Sequence, residues 1–233
     1  MTIKALFGKN GNIKLGNTWT FSKLATDKLF ISEIGTCTGS CGKYCAGCSK
    51  ACYVVKSYRY PSVVKGHMRN SLAFRLDLFK AFDDLRKQLM RARKKPSLVR
   101  INQSGEMESE LEVRLWSELA KEFPNIRFWF YTKAFDLVTP LLLDGSIPDN
   151  MTVLFSIWHE YGIQEFKKVM HLDNVKAFVY CDGFDYEAHG IHVTTMCNAY
   201  DKNGKLNHEL TCDKCTKCFS RLASHKIIGC FEH

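Results

Sequence analysis

The sequence predicts an α/β protein, a parallel sheet of βα repeats with helices outside it, on two observations. Short apolar runs centred near residues 99, 128, 154 and 179 recur every 25–29 residues, the length of one βα unit. Between them, apolar residues fall three or four positions apart, the helical period. Such a series forms either an open sheet or one curled toward a barrel.

Each element has its own signal. Residues 28–34 (KLFISEI) read as a first short strand running into the first cysteines. Beyond Pro61, the apolar positions Met68, Leu72, Leu76, Phe79, Phe82, Leu85 and Leu89 predict one long amphipathic helix. The basic residues at 91–95 suit its carboxyl end, and Pro96 stops it. Residues 98–101 are a strand, and Ser109 with Glu112 forms a capping box for a helix through Leu111, Leu115, Leu119 and Phe123. Strands at 126–131, 152–158 and 177–181 alternate with helices at 136–143 and 163–172, and 191–195 is a last strand. Residues 1–195 thus form the repeat unit, and 196–233 a small cysteine-rich extension.

Composition excludes several classes. The chain has 233 residues, 45% hydrophobic and 24% charged, with 5 Pro, so it is neither disordered nor collagenous and can bury a sizeable core. No stretch approaches the roughly 20 apolar residues of a membrane helix, and the start MTIKALFGKNGNIKLGNTW lacks the apolar block of a signal peptide. A cytoplasmic protein without membrane contact is the expectation. The net charge of +9 is uneven: residues 53–100 hold 13 basic and 3 acidic side chains, and 102–122 hold 6 acidic and 2 basic. The basic segment reads as a solvated helix face or as a surface for nucleic acid or another polyanion.

Cysteine usage points to metal. Eleven cysteines, an odd number, sit in a chain with no sign of secretion, which argues against a disulfide framework. Five fall in residues 37–52 and four in 197–218. The first group contains Cys41-x3-Cys45-x2-Cys48 and also Cys41-x6-Cys48-x3-Cys52, spacings that let thiolates converge on one centre, iron–sulfur or zinc. The second, Cys197-x14-Cys212-x2-Cys215-x2-Cys218, suits zinc or a fully ligated second 4Fe-4S cluster that folds the tail. Cys230 has no partner nearby in sequence.

Active groups in parallel βα folds collect at the carboxyl ends of the strands. Those ends carry the first cysteines, then Gln103, Ser104 and Glu106, then Thr132 and Lys133, then His159 and Glu160, then Cys181 and Asp182. His159 and Glu160 are acid/base candidates, or ordinary loop polars. Trp116, Trp129 and Trp158 read as core, and so does Cys181.

The loop TCTGSCGKYCAGCSKACY and the later Ser104-Gly105-Glu106 resemble the radical S-adenosylmethionine superfamily. The resemblance implies an incomplete (β/α)6 TIM-like barrel and a loop holding three irons of a 4Fe-4S cluster. The open fourth iron takes the amino and carboxylate groups of S-adenosylmethionine. Ser104, Gly105 and Glu106 stand where the superfamily has a Gly-Gly-Glu-like motif that contacts the cofactor's amine. The implied reaction is reductive cleavage of S-adenosylmethionine to methionine and a 5′-deoxyadenosyl radical, with electrons from a donor such as a flavodoxin or ferredoxin.

A closer resemblance covers most of the chain. A little-characterised phage and bacterial family carries C-x6-C-x3-C-Y, an R-Y-P-like stretch, a Ser-Gly-(Asp/Glu) strand end, a Tyr-Thr-Lys strand end and a cysteine-rich tail. Here these are CGKYCAGCSKACYVVKSYRYP, RINQSGE, YTK and the tail. Two positions depart from the superfamily: Gly47 stands where an aromatic residue usually precedes the third cysteine, and Ser104 replaces the first glycine. The superfamily spacing selects Cys41, Cys45 and Cys48; the closer family selects Cys41, Cys48 and Cys52. The alternative to an enzyme is a non-catalytic zinc protein that binds nucleic acid through residues 53–100.

Overall fold

The apolar runs pair as expected. The structure, a computed structural model, describes residues 3–8, 13–31, 35–45, 52–199, 207 and 210–231. Its strands are β1 (Trp19–Thr20), β2 (Lys28–Ile31), β3 (Gly35–Thr38), β4 (Leu98–Ile101), β5 (Arg127–Thr132), β6 (Met151–Ile157), β7 (Val175–Tyr180), β8 (Thr195–Met196) and β9 (Ile227–Cys230). Its helices are α1 (Tyr53–Ser57), α2 (Pro61–Leu76), α3 (Leu78–Arg91), α4 (Glu110–Glu122), α5 (Phe135–Leu143), α6 (Ile163–Val169) and α7 (Cys212–Cys215). Seven strands form one parallel sheet in the order β1-β4-β5-β6-β7-β9-β8, and the sheet is open. No helix among the described residues is long and apolar enough to cross a membrane.

Alternation along the strands sorts the core into two layers. Val99 and Ile101, Phe128 and Phe130, Val153 and Phe155, and Val175 and Ala177 face one side, where α2 to α6 pack. Leu98, Trp129, Leu154 and Ile228 face the other, where Phe219 of the tail covers them. Burial on both faces explains why β6 is apolar almost throughout and buried at every residue.

The structure corrects the sequence in four places. Residues 28–31 do not join the sheet; β2 pairs antiparallel with β3 in a separate hairpin, and residues 32–34 lie outside the described residues. The strand beside β4 is instead the two-residue β1, too short to leave an apolar run. The single long helix is two, because Asp77 is extended (φ −159°, ψ 95°) and its carboxylate accepts from Lys80 N at 2.9 Å to cap α3. Leu72, Leu76 and Phe79, placed on the apolar stripe of one helix, are accordingly exposed. The last strand is Thr195–Met196, and β9, from beyond residue 196, inserts between it and β7. The capping box is half formed. Ser109 Oγ accepts from Glu112 N at 3.2 Å, while the Glu112 carboxylate turns to Glu108 N and Lys23.

Candidate functional site

The carboxyl end of β4 is where the cysteine segment meets the sheet. Gly105 takes φ +88°, and a Cβ there would lie 2.4 Å from Ser40 Oγ and 3.0 Å from Lys23 Cβ, so only glycine lets the two segments close. Ser40, immediately before Cys41, accepts from Glu106 N at 3.0 Å and donates to Leu24 O at 2.8 Å. Ser104 donates to Lys23 O at 2.8 Å, and Lys23 N donates to Ser104 O at 2.9 Å. The Ser-Gly-Glu turn and the cysteine segment are thus one hydrogen-bonded unit.

Glu106 is 6% exposed and its carboxylate is already engaged. Oε1 accepts from Met107 N at 2.8 Å and Thr132 Oγ1 at 2.9 Å; Oε2 accepts from Lys133 N at 2.7 Å. Burial raises its pKa above the ordinary carboxylate value, against the pull of these donors. Each carboxylate oxygen offers about two acceptor positions, so Oε2 keeps one to spare.

Of the first-group cysteines, Cys41, Cys45 and Cys52 are half-buried; Cys48 lies in 46–51, outside the described residues. Cys41 precedes the short turn Gly42–Cys45, and Cys52 is the N-cap of α1. Both act electrostatically on Tyr58, whose hydroxyl accepts from Ala25 N at 2.7 Å and lies 3.4 Å from Ser104 Oγ. Burial pushes the Tyr58 phenol up to about 12. Lys43 Nζ and Tyr44 OH both donate to Asp136 at 2.6 Å, tying the cysteine turn to the start of α5. Among the described residues no three His, Cys, Asp or Glu side chains are drawn together as a metal site. Cys41 and Cys45, on the turn that Ser40 ties to Glu106, bring thiols to the strand end that carries the carboxylate, donor types used by iron–sulfur clusters and by amino-group ligands.

Sequence reasoning missed what holds this loop. Lys23 is 0% exposed, and its ammonium meets both Glu112 oxygens at 2.8 Å and Glu108 at 3.1 Å. Arg75 bonds the same Glu108 at 2.8 Å and donates to Thr38 O and Gly39 O, just ahead of the cysteines. A lysine three residues past a two-residue strand gives no local signal of a buried ion pair.

The remaining strand ends converge in part. Lys133 Nζ sits 5.7 Å from the Trp158 ring centroid, and Trp158 stacks on Tyr180 at 4.4 Å. Trp158 is therefore a half-buried rim residue, unlike Trp116 and Trp129, which are core. His159 takes φ +54°, and its Nε2 lies 2.7 Å from Asp182 Oδ2, while Glu160 is exposed. In the tail, Cys197 and Cys218 pack beside Trp129 and Phe219, and Cys212 and Cys215 bound α7. Cys230 does have a partner: its thiol and that of Cys197 hydrogen-bond. In the basic segment, Arg75, Lys80, Arg86 and Lys87 are in ion pairs with carboxylates of the chain itself.

The fold and site define an open parallel α/β protein whose cysteine-bearing segment is hydrogen-bonded to the carboxyl end of one strand. The chain belongs to the Gene product 88 family, a phage-related family matched over residues 4–221. No curated protein and no solved structure matches it.

Proposed function

We propose that this protein is an iron–sulfur enzyme of the radical S-adenosylmethionine type, built on a partial barrel. The interlock of Ser40, Gly105 and Glu106 carries the reading, because it couples a cysteine loop to a buried carboxylate at the end of β4. Packing of α2 to α6 on one sheet face only is the winding expected of a barrel segment rather than of a doubly wound sheet.

Cys41, Cys48 and Cys52 are the proposed ligands, with Cys45 as the alternative to Cys52; Cys41 and Cys52 share Tyr58 as a neighbour. When bound, a 4Fe-4S cluster with one open iron supplies the electron for reductive cleavage of S-adenosylmethionine. Glu106 Oε2 accepts the cofactor's ammonium at its remaining position, and Gly105 and Ser104 present their backbone beside it. Lys23 and Arg75 keep the loop in place. Trp158 and Lys133 line the approach. A flavodoxin or ferredoxin is the proposed electron donor.

The test is an anaerobic count of iron, zinc and acid-labile sulfide, followed by reductive cleavage of S-adenosylmethionine. Brown protein that loses rim iron in Cys48→Ala but keeps it in Cys37→Ala supports the reading. Colourless protein containing zinc alone overturns it.

A further inference from the structure

The sheet face left uncovered by α2 to α6 is closed by the tail, with Phe219 packed on Trp129 at 5.1 Å. Two cations are set into that layer: Lys176 of β7, whose ammonium donates to His225 O at 2.7 Å, and an arginine without such a partner. Arg100 of β4 lies on this face, its guanidinium 4.7 Å from the Tyr131 ring centroid, and its Nε is buried with no hydrogen-bond partner. No carboxylate among the described residues pairs with it. The groups that act on it electrostatically are the hydroxyls of Tyr53 and Tyr131 and the thiols of Cys212 and Cys218. Tyr131 OH itself lies 3.0 Å from Cys218 Sγ.

A guanidinium does not give up its proton, and drawing its charge partly out of water without a counter-charge is costly. A neutral thiol does not balance it; metal-bound cysteines are deprotonated outright. Four thiolates around a divalent ion leave a net charge of about −2, which a neighbouring guanidinium offsets.

We propose that Cys197, Cys212, Cys215 and Cys218 hold a closed four-thiolate metal centre and that Arg100 is its charge partner. The four thiols are not themselves drawn together as a metal site, but the segments that carry them are fixed. Cys212 and Cys215 are the first and last residues of α7, which Asp213 fixes by accepting from Asn17 N at 3.1 Å. Lys217 Nζ bonds Met196 O at 2.8 Å and Asn198 Oδ1 at 3.0 Å, holding Cys218 beside Cys197. Metal uptake requires the Cys197 thiol to exchange its hydrogen bond with Cys230 for the metal, a side-chain rotation. The centre is closed, with no position open to a substrate, and it anchors the tail against the sheet.

This proposal does not rest on the rim reading, and the test separates them by working in the full-length Cys48→Ala chain. Metal and sulfide are counted after anaerobic purification. About one zinc per chain, or about four irons with matching sulfide, identifies which metal fills the centre. Adding Cys215→Ser must abolish that metal. Arg100→Gln must weaken retention against a competing chelator roughly 10–100-fold, and Arg100→Lys must keep most of it. Should Arg100→Gln not fold, chelation of the Cys48→Ala chain provides the second readout: stripping the metal must expose residues 197–226 to protease before the rest. Metal unchanged by Cys215→Ser overturns the site, and equal retention in Arg100→Gln overturns the role of Arg100. A tail as protease-resistant without metal as with it also overturns the site.

Discussion

The hydroxyl of Ser40 accepts a hydrogen bond from the backbone nitrogen of Glu106 at 3.0 Å, across 66 residues of sequence. Through it, the residue before Cys41 and the residue after Gly105 take their positions from each other. Gly105→Ala should therefore act on the cysteine loop as well as on the turn. A Cβ 2.4 Å from Ser40 Oγ, on a backbone at φ +88°, is expected to cost about 1–3 kcal/mol. Urea denaturation measures the cost, and iron content of anaerobically purified protein should fall with it. Equal stability and equal iron would refute the interlock.

Lys23 and Glu112 form a buried pair whose value shows when one partner is removed. Lys23→Met leaves the Glu112 carboxylate buried and uncompensated, an expected loss of about 3–5 kcal/mol. The double variant Lys23→Met/Glu112→Leu should recover much of it. A double variant as unstable as the single would mean that Lys23 acts through packing alone.

His67 makes stability depend on acid. Burial lowers its pKa from the ordinary 6.5 to about 4, and its Nδ1 is buried without a hydrogen-bond partner. The unfolded chain therefore binds the proton more readily than the fold does. The contribution is fully present above about 6.5 and is lost as pH falls toward about 4, in total on the order of 3 kcal/mol. His67→Phe should flatten the stability profile across that window, read by urea denaturation at stepped pH.

Glu106 has the opposite sign. Its folded pKa is raised by burial, so its contribution is full below the ordinary glutamate value and is lost as pH rises through the raised one. Glu106→Gln removes that slope. The amide nitrogen must also face Met107 N and Thr132 Oγ1, or Lys133 N, at an expected cost of about 1–3 kcal/mol. In iron-loaded protein, the same variant should weaken S-adenosylmethionine binding roughly ten- to hundredfold, the loss of one charge-assisted contact. Titration under anaerobic conditions checks it, and unchanged affinity would remove Glu106 from the cofactor site.

The sequence by itself determined the spacing of β4 to β7, the helices between them, the two cysteine groups and the strand-end position of Ser104-Gly105-Glu106. Those features are local: side-chain period and residue spacing reflect the geometry of one element at a time. Only the tertiary structure decided which elements meet. Residues 28–31 have the apolar character of a sheet strand, yet they pair back on Gly35–Thr38, because pairing depends on which backbone edge lies nearest. The two-residue β1 enters the sheet on hydrogen bonds to β4 that no pattern announces. β9 lies between β7 and β8, and the tail that carries it also covers the sheet face of Trp129 and Leu154 with Phe219. Arg100 reads as one of 13 basic residues in its segment until the fold sets it, half-buried, over the Tyr131 ring. Burial and partners are sums over distant chain segments, so the charge that gives a residue its role is invisible until the segments are brought together.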